Sequence, residues 1–331
     1  VTAAPSSTES AVRAEIDGHV GRIVLDRPAA HHALTTEMVD RLEQVLIAWR
    51  SEPLKAVTIA GTGGRAFCAG GDIIEVRRLS LAGESDAIED FFATEYRVNQ
   101  MLGAYAHPVV ALIDGICMGG GLGLSVHGPF RVVTERALLA MPETSIGFFP
   151  DVGASHFLPR LPGYVGTYLG LTGARLDAAD ALHTGLATHL VPSDLSTDVP
   201  DLIAASPEPI DRVLRDLEGP RETGGLASHR AAIDHCFAPS QMSQITERLQ
   251  AEGTDWAGAT LAALARCSPA SLDLTLELLV AGRQRTLAAC LAAELVAART
   301  VAASADFVEG VGARLVDKDR EPQWAGTALT A

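Results

Sequence analysis

Val109-Val110-Ala111-Leu112-Ile113-Asp114-Gly115-Ile116-Cys117-Met118-Gly119-Gly120-Gly121 is the stretch on which the reading of this chain turns. Five apolar residues ended by Asp114-Gly115 read as a strand buried on both faces. Three glycines then open a second apolar run, residues 122–126, which reads as a helix packed back on that strand. The first amides of such a helix have no intrahelical acceptor and lie at the positive end of its dipole. That arrangement suits negative charge developing on a carbonyl oxygen; close strand–helix packing without catalysis is the other reading. It is neither a dinucleotide fingerprint nor a P-loop, since no GxGxxG or GKS/T pattern is present there.

Upstream, residues 14–16 and 19–25 flank Asp17-Gly18 and predict a β-hairpin, stopped by Asp26-Arg27-Pro28. Thr35 or Thr36 caps a helix with Met38, Leu42, Val45, Leu46 and Trp49 on one face. Residues 55–60 form another buried-strand pattern and run into Gly61-Thr62-Gly63-Gly64-Arg65-Ala66-Phe67-Cys68-Ala69-Gly70-Gly71-Asp72-Ile73. Glycines there let the backbone aim N–H groups at a ligand oxygen, or simply make a turn. Downstream, residues 130–134 and 137–141 read as two more strands. Alternating strands and helices predict an α/β core over residues 11–195. Beyond it strand signals stop, and Ala/Leu-rich segments at 257–265, 271–281 and 286–303 predict a helical C-terminal module over residues 196–331.

A third stretch follows the last predicted strand: Met141-Pro142-Glu143-Thr144-Ser145-Ile146-Gly147-Phe148-Phe149-Pro150-Asp151-Val152-Gly153. Glu143 and Asp151 sit among apolar or small residues, a setting that raises carboxyl pKa values and suits acid–base work. Taken singly, Glu143 also reads as a solvated loop acid and Asp151 as a helix N-cap. With both glycine loops and both acids in order, the chain resembles the crotonase superfamily, the enoyl-CoA hydratases and isomerases. The resemblance implies a spiral of β-β-α turns in two nearly perpendicular sheets, assembled as trimers or pairs of trimers. It implies an oxyanion hole for a coenzyme A thioester formed by the amides of Gly71 and Gly120, with Ala69 beside the CoA adenine.

Within the superfamily the chain is most similar to the 3-hydroxyisobutyryl-CoA hydrolases. Residues 67–72, 118–128 and 141–162 carry that similarity, with Ser268-Pro269-Ala270-Ser271-Leu272, residues 306–311 and Asp317-Lys318-Asp319 in the helical tail. Phe91-Phe92 and Glu95-Tyr96 belong to it as well, and Glu95 matches a substrate-site acid of those hydrolases. A typical hydratase carries a glutamate three residues after the oxyanion glycine, where this chain has Gly123. The implied activity is therefore hydrolysis of a short 3-hydroxyacyl-CoA in valine breakdown, with Glu143 and Asp151 catalytic and no metal or redox cofactor. An enoyl-CoA hydratase or isomerase is the alternative within enzymes, and a non-catalytic acyl-CoA-binding protein the alternative outside them. One departure is His32 before Ala33-Leu34, where the family often has Asn. His127 and His183 read as structural or exposed, having no nucleophile to pair with.

Hydrophobic residues at 47% and charged ones at 20% describe a chain that buries a real core, and at 5% aromatic that core is aliphatic. A formal charge of -15 argues against nucleic acid as a partner. No apolar run reaches bilayer length, so no membrane span is expected. Five scattered cysteines, Cys68, Cys117, Cys236, Cys267 and Cys290, fit reduced thiols in a cytoplasmic protein. The start, residues 1–10, is a short polar tail without the features of a signal peptide. Because it does not begin with Met, a removed organelle-targeting peptide stays open.

Overall fold

The computed structural model describes residues 10–220, 222–318 and 320–326; the tail at 1–9 and Asp319 lie outside the described residues. The opening hairpin is β1 (Val12–Asp17) and β2 (Val20–Leu25), paired antiparallel. Helix α1 (Thr36–Trp49) begins where Thr35 accepts a hydrogen bond from the Met38 amide, and it buries Met38, Leu42, Val45 and Leu46.

From there the chain repeats one unit three times: a strand in a large sheet, a strand in a small sheet, then helix. The first turn is β3 (Ala56–Gly61), β4 (Ala66–Cys68), α2 (Ile73–Ala82) and α3 (Ser85–Gly103). The second is β5 (Val109–Ile113), β6 (Ile116–Met118) and α4 (Gly120–Ser125). The third is β7 (Phe130–Val133), β8 (Leu138–Ala140), a 3-10 turn at Glu143–Ile146, then α5 (Ala154–Phe157), α6 (Val165–Thr172) and α7 (Ala178–Thr184). β9 (His189–Leu190) closes the spiral. The large sheet runs β1-β2-β3-β5-β7-β9 and the small one β4-β6-β8, parallel throughout except for the hairpin.

This topology assembles the site. Strands β4, β6 and β8 are parallel neighbours, so the loops leaving their C-terminal ends lie side by side. Those loops are Gly70-Gly71, Gly119-Gly120 and Pro142-Glu143, the three stretches singled out in the sequence.

Two helices after the spiral, α8 (Val199–Ala205) and α9 (Ile210–Asp216), cover one face of the large sheet. Val199, Ile203, Ile210, Val213 and Leu214 pack there with Val20, Ala56, Val110 and Val132. Six more helices follow: α10 (Arg230–Cys236), α11 (Met242–Glu252), α12 (Asp255–Leu264), α13 (Pro269–Gly282), α14 (Leu287–Val301) and α15 (Ala305–Val311). They share one continuous apolar cluster with the spiral, from Val12 to Val311. α14 packs on α3 and α5, and α15 on the Glu143 turn and α2. Gly310 makes the last contact possible, since a Cβ there would lie 2.4 Å from the Ile146 backbone. Among the described residues no single helix is long and apolar enough to cross a membrane.

Candidate active site

Two amides converge first. Leu34 donates to the Gly70 carbonyl and accepts from the Asp72 amide, both at 2.8 Å, a parallel bridge that turns the Gly71 N–H away from Leu34. Gly120 is the first residue of α4, so its N–H has no helical acceptor. Neither amide is hydrogen-bonded within the described residues. The two loops touch through backbone: a Cβ on Gly70 would lie 3.3 Å from the Gly120 nitrogen, and one on Gly120 would lie 3.3 Å from the Gly71 nitrogen. Gly70 at φ +102° and Gly119 at φ +49° hold conformations that side chains rarely adopt.

Two carboxyls close over this pair. A Cβ on Gly119 would meet Glu143 Oε1 at 2.8 Å, and one on Gly120 would meet Glu95 Oε1 at 2.4 Å. Glu143 is 7% exposed on its 3-10 turn, and Glu95 is 2% exposed on α3. Among the described residues, Glu143 Oε2 and Glu95 Oε1 have no hydrogen-bond partner. Burial pushes both carboxyls well above the usual range; the neighbouring Asp151 pushes both further, and Glu95 adds to the rise at Glu143. A solvated loop acid therefore does not describe Glu143.

Asp151 is the third buried acid, 5% exposed. Its Oδ2 accepts a 2.7 Å bond from the Tyr96 hydroxyl. The N-cap position of α5 falls to Gly153 without a side-chain cap, so the helix-cap reading of Asp151 gives way to this buried pairing. Burial lifts its pKa to about 7; the Tyr96 bond opposes the rise and Glu294 adds to it. Three carboxyls buried together disfavour one another's ionised forms, which raises the affinity for a proton and makes Glu143 a stronger base once it is ionised.

The position occupied by acid in hydratases is filled. A Cβ on Gly123 would lie 2.7 Å from Val152 Cβ and 2.9 Å from Asn99 Nδ2. Asn99 is fully buried, one helical turn beyond Glu95, and both its polar atoms lack partners among the described residues. Among the described residues, no three His, Cys, Asp or Glu side chains are placed to hold a metal ion.

Ala69 is tied to the far side of its loop, its N–H donating to the His31 carbonyl at 2.9 Å. His32, the departure from the family pattern, is buried; Nδ1 accepts from the Arg27 amide, so Nε2–H donates to the Thr62 carbonyl, each at 2.9 Å. The imidazole braces the loop structurally. His127 is structural too: burial lowers its pKa to about 4, and its Nε2–H donates to the Val152 carbonyl at 2.8 Å. His183 is exposed.

Tyr96, Asn99 and Glu294 carry no role in the sequence reading. The signal was there: each is a polar residue on an apolar stripe at helical spacing, Asn99 among Phe92, Tyr96 and Leu102, and Glu294 among Cys290, Leu291 and Ala298.

Residues 20–331 match the family model described as Enoyl-CoA hydratase/isomerase. The "Probable 3-hydroxyisobutyryl-CoA hydrolase 3" of Arabidopsis thaliana is 41% identical, over 96% of this chain and 88% of its own length. The "3-hydroxyisobutyryl-CoA hydrolase, mitochondrial" of Homo sapiens is 42% identical, over 94% of this chain and 83% of its own. Among solved structures, a carnitinyl-CoA dehydratase from Mycobacterium thermoresistibile superposes with a TM-score of 0.89 at 36% identity, covering 96% of this chain and 92% of that one.

Proposed function

The chain belongs to the enoyl-CoA hydratase/isomerase family, and on that premise we propose that it hydrolyses the thioester of 3-hydroxyisobutyryl-CoA, a step of valine catabolism. The observation that carries the reading is one constellation. Two acceptor-free amides, Gly71 and Gly120, lie beside two buried carboxyls, Glu95 and Glu143, while Gly123 leaves no room for a hydratase acid.

The thioester oxygen sits between the two amides, which stabilise the charge it gains as the carbonyl carbon becomes tetrahedral, worth about 3 kcal/mol per donor. Glu143 takes a proton from water as that water bonds to the carbonyl carbon. In the other route Glu143 bonds to that carbon itself, and water opens the resulting mixed anhydride. Either way the C–S bond breaks, CoA leaves as thiolate and takes a proton, and the hydroxy acid is released. Asp151 assists that proton transfer or orients the substrate hydroxyl, and Glu95 binds the hydroxyl. The unpartnered atoms of Glu95 and Asn99 supply hydrogen-bonding capacity for it. Ala69 flanks the adenine. The reaction so drawn uses no metal or redox cofactor, the oxyanion hole supplying the electrophilic help.

The dehydratase among the structural relatives favours a second reading, addition or removal of water at an enoyl double bond. Its product retains the thioester. The test is release of free thiol from (S)-3-hydroxyisobutyryl-CoA by Glu143→Gln and Asp151→Asn enzymes. Losses of about 10²-fold or more in both assign the carboxyls, whereas wild-type turnover in Glu143→Gln removes the proposed chemistry.

We propose a homo-oligomer, trimeric or a pair of trimers, on the family resemblance; light scattering on the purified chain reads it. A cytoplasmic location is proposed on five unpaired, buried cysteines. The human relative is named mitochondrial, and cell fractionation distinguishes the two.

A further inference from the structure

Glu294 is fully buried in the apolar stripe of α14, and its hydrogen bonds all come from one short turn. Oε2 accepts from the Gly153 amide at 2.7 Å. Oε1 accepts from the Ser155 amide at 2.9 Å and the Ser155 hydroxyl at 2.5 Å. Donors on both oxygens are the pattern of an ionised carboxylate; burial pushes its pKa up and these three bonds pull it back.

The turn it grips follows Asp151 and is strained. Val152, β-branched, stands at φ +52°, a conformation that costs about 1–3 kcal/mol and persists only where the surroundings over-determine it. His127 holds the Val152 carbonyl and Glu294 holds the next amide.

Resting on the hydrolase reading, we propose that Glu294 is a positioning residue: from α14 it clamps the turn after Asp151 and so holds the Asp151 carboxyl on the substrate. Residues of the helical module thereby act on the chemistry of the spiral. The groups facing Asp151 are Glu95 and Tyr96 on α3, Glu143 on its 3-10 turn and Glu294 on α14, with His127 facing the turn at Val152.

The test follows the Asp151 carboxyl by ¹³C NMR titration, its resonance assigned by its loss in Asp151→Asn, alongside steady-state kinetics. Glu294→Gln keeps the shape, removes the charge and turns a donor toward the Gly153 N–H. The Asp151 midpoint is expected to fall by about one pH unit, and kcat by about 10- to 100-fold with KM within about twofold. A wild-type kcat overturns the proposal even if the midpoint falls and the melting temperature drops, because loss of the Glu294 charge lowers the midpoint whether or not the turn is clamped. The titration needs no substrate, so a wild type that releases no CoA sinks the hydrolase reading alone. Should Glu294→Gln not fold, Ser155→Ala withdraws one donor and keeps the charge. A several-fold lower kcat then supports the clamp, and wild-type kcat overturns it.

Discussion

Alanine at Gly120 is the smallest change that fills the space between the two amides. Its backbone lies outside the left-handed region, so a Cβ adds no torsional strain, and Ala in place of Gly in a helix is neutral or favourable by up to about 1 kcal/mol. The new methyl, however, would stand 2.4 Å from Glu95 Oε1 and 3.3 Å from the Gly71 nitrogen. Glu95 must swing away, and the methyl takes the place where a thioester oxygen meets the Gly71 N–H. Loss of one oxyanion donor removes about 2.7–4 kcal/mol of transition-state stabilisation, or 10²–10³ in kcat. Thiol release at saturating substrate, with circular dichroism and a thermal melt, reads both quantities. The expected result is a kcat lower by about 10² or more in a protein whose stability stays within about 1 kcal/mol of wild type. A folded Gly120→Ala enzyme within a few-fold of wild-type kcat would refute the placement of the substrate oxygen.

Restoring the hydratase acid by Gly123→Glu forces a side chain against Val152 and Asn99. A loss of about 1–3 kcal/mol or more is expected in chemical denaturation, with no hydration of crotonyl-CoA; a stable variant that hydrates it contradicts the packing. Asp151 titrates near 7 in the fold against about 3.9 unfolded. Its contribution to stability is thus full below about pH 4 and is lost as pH rises through 7. Wild type should lose on the order of a few kcal/mol across that window and Asp151→Asn less; parallel declines would show that burial there is overstated. Tyr96→Phe removes the donor that opposes the rise at Asp151. The inflection in the pH dependence of kcat/KM that vanishes in Asp151→Asn should therefore move up, and a downward move is the contrary result.

The large sheet was legible because β3, β5 and β7 are long enough to show as apolar runs between glycines and turns. β4 and β6, three residues each and set among the glycines of their loops, were not, whereas β8, equally short, lies inside the apolar run 137–141. Their absence hid the reason the three motifs meet: the small sheet they form with β8 aligns the loop ends. The helical segments near 257–265, 271–281 and 286–303 lie within a few residues of α12, α13 and α14. Gly71, Gly120, Glu95 and Glu143 lie near one another. Asp151 joins them by burial and through Tyr96, a contact that depends on how α3 packs. Long-range pairings of this kind, Glu294 with Ser155 above all, leave only a polar residue in an apolar stripe as their trace in the sequence.

The reaction proposed for this site breaks a thioester and leaves double bonds alone. Wild-type enzyme given (S)-3-hydroxyisobutyryl-CoA and, separately, crotonyl-CoA tests it in one assay that follows free thiol and enoyl absorbance together. Stoichiometric CoA thiol from the first substrate and no loss of enoyl absorbance from the second are expected. Enoyl absorbance that disappears while no thiol is released from either would contradict the proposed reaction and make the protein a hydratase.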